Sequence, residues 1–363
     1  MTHIGASSRL RRAILRPVSG AGKGGGPSAA RSFPSRTPAG LRQTVAMRRH
    51  LRHAAGLALA AATRGVPLPE AADLLGAHRS ADRVHRLRGV DLVGVDVDAP
   101  RGGRAVRVRM ERHGGRDQVA QAIADGGLWG FEPPLVPLFV ELARTSAGDV
   151  LDVGANTGLY TLLALAANPK LRVHAVEALP PVAALLEENL ALNRLLARRV
   201  RVHQLALSEA GGTASLYLPP PSGTTIETSA SLDPTFKEEI AGSVEVKTST
   251  LDDLWRASGS PAVGLVKIDT EGTEHLVLRG GEQLIAASRP ILCCEVLLRA
   301  ATAELTERLT RAGYVDVRLR KDVLVVGARV AFDPDAWNHA FVPREKLAVL
   351  RGAGRSVGLE VSE

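Results

Sequence analysis

The sequence predicts an α/β domain with a mostly parallel sheet covered by helices on both faces, and three observations point to it. Beyond about residue 145, apolar strands alternate with helical segments of roughly 10–20 residues, the pattern of successive βαβ units. Asp149-Val-Leu-Asp-Val153 runs into Gly154-Ala-Asn-Thr-Gly158 and then the apolar stretch Leu159–Ala167, which reads as strand, glycine turn and helix. The following strand, RVHAVEA at 172–178, ends in Glu177, nineteen residues after Gly158.

Composition bounds the rest. The 363 residues are 45% hydrophobic, enough for at least one full core. Formal charge is +8, from 46 Lys and Arg against 38 Asp and Glu, which first suggests nucleic acid or an acidic membrane. Residues 1–69 hold 12 of the basic groups and no acid, however, so the remainder is mildly acidic. The chain has twelve aromatic residues, too few for base-stacking platforms, and nucleic acid is not expected as a partner. No apolar run reaches the ~18–20 residues of a membrane span, so no membrane partner is expected either. Cys293 and Cys294 are the only cysteines; as neighbours on a strand they point to opposite faces, which excludes a disulfide framework or a Cys-based zinc site.

Residues 1–65 read as a basic, low-complexity, disordered leader rich in Arg, Ala, Gly, Ser and Pro. It imitates an organelle transit peptide, and MRRHLRHAAGLALAAATRG from Met47 imitates a secretory signal. A plain basic leader, or translation from Met47, accounts for the same composition, and a cytoplasmic location is the default expectation. Residues 66–116 are expected to form a small lid or packing unit: short helices over 66–90, then a β-hairpin from DLVGVDVD (91–98) and RAVRVRME (104–111) around APRGGR. The main domain is expected over 117–345, followed by a tail over 346–363.

The turn at 152–158 carries the first chemistry. Gly154 lets backbone approach a ligand, Gly158 opens the helix without a side chain in the way, and the free N–H groups there favour a negative group. Glu177 stands where a carboxylate accepts both hydroxyls of a ribose, so the expected ligand is a nucleoside. A dinucleotide loop needs glycine at positions 156 and 159, where this chain has Asn156 and Leu159. Asp152 also places negative charge where a pyrophosphate would lie and where an ammonium is welcome. S-adenosylmethionine has an ammonium, a carboxylate and a ribose and no phosphate. The alternative left open is a nucleotide-dependent oxidoreductase of Rossmann type, or an ordinary strand-to-helix turn.

A second constellation follows. VKTSTLDDLW (246–255) precedes GLVKIDTEGTEHLVLRGG (264–281), an apolar strand ending at Lys267-Ile-Asp269, a turn at Thr270-Glu-Gly272 and a helix. Another strand begins at Pro290. With DVGANTG (152–158), VEALPPVAALLEENLALN (176–193), ALSEAGG (206–212), TLDDL (250–254), VKIDTEGTEHLVLRGG (266–281) and PILCCE (290–295), the chain resembles the FkbM-type family of S-adenosylmethionine-dependent methyltransferases over about 117–345.

The resemblance implies a Rossmann-like class I methyltransferase fold with seven strands in the order 3-2-1-4-5-7-6, the last two being YVDVRL (314–319) and VLVVGA (323–328). It implies S-adenosyl-L-methionine as cofactor, its methionine part held by Asp152, Gly154, Asn156, Thr157 and Gly158 and its ribose by Glu177. Adenine falls to Ala206, Leu207 and Ser208, and Glu132 of Trp129-Gly-Phe-Glu-Pro reaches the methionine end. O-methylation of a small-molecule or glycan acceptor is the expected reaction, with a catalytically silent S-adenosylmethionine-binding module as the rival.

Asp269, at a strand end beside the glycine turn, is the first candidate for base or orienter. Glu271 and His275 are four apart and form an acid/base pair if the helix begins at the turn; otherwise Glu271 and Glu274 serve the helix N-terminus and His275 faces solvent. Lys267 is expected to pair with a nearby acid. No metal is assigned, although Asp269, Glu271 and Glu295 offer oxygen ligands. Acceptor recognition is expected from 66–130, the long loop 219–239 and the segment 336–347, Ser229 and Ser231 reading as mobile-loop serines.

Overall fold

In the computed structural model the chain divides into two units, Met1–Leu68 and Pro69–Glu363. The structure describes residues 91–98 and 105–362, all in the second unit. The expected leader, the short helices over 66–90 and the whole APRGGR turn at 99–104 lie outside the described residues.

The described chain opens with the antiparallel hairpin β1 (Leu92–Val97) and β2 (Val106–Glu111), as the alternating pattern predicts. Helices α1 (Gln118–Gly126) and α2 (Leu135–Thr145) follow. Next come β3 (Asp149–Val153), α3 (Leu159–Ala167), β4 (Val173–Val176), α4 (Pro180–Leu192) and β5 (Val200–His203). A small sheet is built from β6 (Ala206–Leu207), β7 (Gly212–Leu218) and β8 (Gly242–Ser249). The chain then returns through α5 (Leu251–Ala257), β9 (Val263–Ile268), α6 (Glu274–Arg279), α7 (Glu282–Ser288) and β10 (Ile291–Glu295). It ends with α8 (Thr302–Arg311), β11 (Tyr314–Arg320), β12 (Val323–Gly327), β13 (Asn338–Pro343), α9 (Leu347–Ser356) and β14 (Val361–Ser362).

Among the described residues the main sheet has nine strands, in the order β14-β12-β11-β13-β10-β9-β3-β4-β5. Pairing is parallel from β10 through β5, while β13 is antiparallel to both β10 and β11. Three expectations need correction. The count is nine rather than seven. The segments 314–319 and 323–328 do form a hairpin, but β13 rather than β12 enters between β10 and β11. The signal for that strand was masked by its polar start, Trp337-Asn338-His339. Residues 346–363, expected as a tail, supply α9, which buries Leu350 and Ala353, and the edge strand β14 beside β12.

Burial explains the layers. Along β3 and β10, alternate residues enter two different cores: Val150 and Cys293 one, Leu151, Val153 and Cys294 the other. The adjacent cysteines therefore face opposite sides of the sheet, both free and buried. All nine residues of α3 are buried, so this helix is apolar all round and sits inside the first core. Asp252, in the first turn of α5, accepts from the N–H groups of Gln283 (3.0 Å) and Leu284 (2.8 Å) and so holds the start of α7.

Candidate functional site

From Val153 the chain turns through Gly154 (φ +77°), Asn156 (φ +52°) and Gly158 (φ +97°) into α3. The end of β9 lies against this turn, the Asp269 N–H donating to the Val153 carbonyl at 3.0 Å. A Cβ on Gly154 would stand 1.8 Å from the Asp269 carbonyl oxygen, and one on Gly158 would stand 2.4 Å from Leu186 Cδ1 on α4. Glycine is therefore demanded at both positions by neighbouring protein, where the sequence had suggested a ligand and a helix opening.

The turn is also held from outside. Asn189 of α4 donates from Nδ2 to the Thr157 carbonyl (2.8 Å) and accepts the Glu111 N–H at Oδ1 (2.9 Å). Asn193 accepts the Arg109 N–H (3.0 Å) and donates to the Arg109 carbonyl (2.6 Å). These two buried amides latch β2 to α4 and the turn. Sequence reasoning missed them, although two asparagines four apart on an apolar helix face were a visible sign.

A cleft of about 640 Å³, counting the space at its mouth, opens at the carboxyl ends of β3, β4 and β9. Gly154, Asn156, Glu177, Ala206, Leu207, Asp269 and Glu271, all singled out from sequence, line it. Leu205, Leu216, Ala230 and Leu232 add an apolar wall, and among the described residues no Lys or Arg lines it. Glu177 accepts the Asn156 N–H at Oε2 (2.9 Å) and the Leu179 N–H at Oε1 (2.8 Å). Burial pushes its pKa up to about 7 despite those two donors.

Behind the lining stands Lys267, only 1% exposed. Its Nζ lies 2.8 Å from Asp269 Oδ2, 4.0 Å from Glu132 Oε2 and 4.8 Å from the centre of the Tyr160 ring. Burial works against its charge, but Asp269 and Glu132 outweigh it and raise the pKa above the ordinary lysine value. The Tyr160 hydroxyl donates to Glu132 Oε2. Burial raises the pKa of Glu132 and also that of Asp152, whose Oδ2 accepts from Thr161 Oγ1 at 2.6 Å while Oδ1 has no partner. Glu132, Asp152, Thr157, Gly158 and His275 do not line the cleft.

The expected Glu271–His275 pair does not form on one helix face. Helix α6 starts at Glu274, and Glu271 precedes it in a left-handed conformation (φ +55°). Glu274 folds back instead: its Oε1 accepts from the N–H groups of Thr270 (2.9 Å) and Gly272 (3.1 Å) and from Thr270 Oγ1 (3.1 Å). Buried in that turn, Glu274 has its pKa pushed up to about 7. Burial, then the charge of Asp269, raises Glu271, which has Lys237 at 3.9 Å. Glu295 closes β10 facing the same acids, and burial with the charges of Asp269, Glu271 and Glu274 pushes it up to about 10. Among the described residues, Asp269, Glu271 and Glu295 are not a set with oxygens within 4.8 Å of one another.

Loop 219–239 is seated over this turn. Ser231, fully buried, donates to the Glu271 carbonyl (2.8 Å) and pairs through its backbone with Tyr217. It is a built-in contact of the cleft wall and not a mobile serine. In the segment 336–347, Asn338–Pro343 is an interior strand and so cannot present a recognition loop; Trp337 at its start is exposed. No helix among the described residues is long and apolar enough to cross a membrane.

Residues 152–315 match the model of the methyltransferase FkbM domain. The 31-O-demethyl-FK506 methyltransferase FkbM of Streptomyces tacrolimicus is 30% identical over 161 residues, 37% of this chain and 60% of that protein. Methyltransferase sdnD of Sordaria araneosa is 30% identical over 157 residues, with the same two shares. A crystal structure of methyltransferase FkbM from Methylobacillus flagellatus KT is similar over 54% of this chain and 43% of that one, at 18% identity and a TM-score of 0.36. The chain thus spans about 60% of the length of the curated relatives it matches.

Proposed function

We propose, for a chain whose residues 152–315 match the methyltransferase FkbM domain, that it is a member of that family, that the cleft takes S-adenosyl-L-methionine and that it serves methyl transfer to an acceptor hydroxyl. The acceptor is a small molecule or a sugar-containing metabolite, and the reaction is placed in the cytoplasm. One relative is named for O-methylation, which supports oxygen as the accepting atom.

The order of chemistry along the cleft carries this reading. Leu205, Ala206, Leu207 and Leu216 offer an apolar slot suited to a flat base. Glu177, at the end of β4, follows with carboxylate oxygens suited to accept from ribose hydroxyls, and Asp269 and Glu271, after β9, make the far end acidic, suited to a cationic methionine portion. A pyrophosphate would meet the carboxylates of Glu177, Asp269 and Glu271, which disfavours a dinucleotide. The residues present therefore fit the group.

When bound, S-adenosylmethionine supplies a methyl carbon activated by the sulfonium, open to in-line displacement. The protein's share is alignment and exclusion of water. Glu177 orients the ribose, and the turn from Gly154 to Gly158, with Asp152 and Glu132 behind it, holds the methionine end. Asp269 has Oδ2 fixed by Lys267, leaving Oδ1 to hold the acceptor hydroxyl or take its proton. Glu271 and His275, no longer a pair, lose their shared acid/base role; Glu271 shapes the acceptor side of the cleft. Asp269→Asn tests the assignment: turnover should fall by about 100-fold or more, within the range of general base catalysis, with cofactor affinity nearly unchanged. An equal loss in both would make Asp269 a cofactor residue only.

A further inference from the structure

Where β2 runs out, Glu111 and His113 meet Glu188 of α4, none of the three being among the residues that line the cleft. One ligand atom from each of the three lies within 4.8 Å of the other two. His113 Nδ1 stands 3.6 Å from Glu111 Oε1, with the two side chains only 9% and 12% exposed. His113 Nε2 is buried and has no hydrogen-bond partner.

We propose that Glu111, His113 and Glu188 bind a divalent transition-metal ion, with Zn²⁺ the best chemical match, and that the ion fastens the β1–β2 hairpin to α4. An imidazole with two carboxylates suits Zn²⁺ better than a set of oxygens alone would, and a solvent molecule completes four-coordination. Zinc bonds of about 2.0–2.2 Å in a tetrahedron separate neighbouring ligand atoms by roughly 3.4 Å. His113 Nδ1 and Glu111 Oε1 already stand close to that spacing, and Glu188 offers a carboxylate oxygen within 4.8 Å of the other two ligand atoms.

The position has a structural consequence. Asn189, next to Glu188, is the residue that accepts the Glu111 N–H and donates to the Thr157 carbonyl. The metal would therefore join the same two elements as this latch, one residue away from it, and steady the turn at 154–158 without entering the cleft.

The test uses the full chain, stripped with a chelator and titrated with Zn²⁺ by calorimetry, with Co²⁺ absorption as a second readout. The expected result is one ion per chain and a metal-dependent rise in thermal midpoint. His113→Ala and Glu188→Gln should each weaken uptake by at least about tenfold and remove that rise, while far-ultraviolet circular dichroism verifies their fold. If one variant does not fold, the other decides. No uptake by the wild type, or equal uptake by the folded variants, overturns the proposal, the second result placing the ion on other residues.

Discussion

Glu177 gives the sharpest quantitative handle on the cleft, through pH. Its carboxyl is buried against the turn, which pushes its pKa up to about 7. Ribose hydroxyls donate to the ionised form and lower that pKa on binding, so binding below neutrality releases a proton. The sign follows: affinity is full above the pKa of the unliganded site and falls as pH drops through it. With a pKa of about 7, roughly nine-tenths of the groups are ionised at pH 8 and one-tenth at pH 6, so the dissociation constant should rise about tenfold across that range. Glu177→Ala removes two charge-assisted hydrogen bonds of about 1.5 kcal/mol or more each, which corresponds to roughly 100-fold weaker binding at pH 8. The assay is calorimetric titration with S-adenosylhomocysteine at pH 6, 7 and 8, each in two buffers of different ionisation enthalpy. Glu274 also titrates near neutrality, so the variant is the decisive control: its affinity should be flat with pH. A wild-type affinity that does not change from pH 8 to 6, or a slope that survives in Glu177→Ala, refutes the reasoning.

Other consequences follow from the same geometry. Gly154→Ala combines a Cβ 1.8 Å from the Asp269 carbonyl with φ +77°, so thermal unfolding should show a loss of several kcal/mol, about 3 or more, and cofactor titration should show no binding. Lys267→Met leaves Asp269 and Glu132 without their buried cation; chemical denaturation should report a loss of about 3–5 kcal/mol, and full stability in the variant would show that the pair contributes little. Glu274 has a folded pKa raised to about 7, so its contribution to stability is present below the unfolded carboxylate value and is lost as pH rises through 7. Glu274→Gln should therefore flatten a decline in unfolding free energy between pH 5 and 8 that the wild type shows.

How far the sequence discloses this molecule depends on how local each signal is. The strand, turn and helix at 149–167 were legible because the period changes from two to 3.6 around glycines that only a tight turn needs. The physical reason for those glycines was not legible, since it lies in Asp269 and Leu186, distant in sequence. The hairpin 314–327 could be read from alternation, yet the strand that separates it from β10 could not, because β13 starts with polar residues that pair across strands rather than along the chain. His339, for example, is wholly buried with Nδ1 2.6 Å from Asp316, an arrangement no window of neighbouring residues displays. Glu271 and His275 fit a helical spacing, but the helix begins three residues after Glu271. Glu274 takes the backbone donors of that turn, and so decides where the helix begins.

The central claim is that the cleft between Glu177 and Asp269 takes S-adenosylmethionine, and the most direct measurement is a calorimetric titration of the full chain with S-adenosylmethionine and, separately, with NAD⁺. The account predicts saturable binding of one S-adenosylmethionine per chain and no heat from NAD⁺. Saturable binding of NAD⁺ with none of S-adenosylmethionine would contradict it.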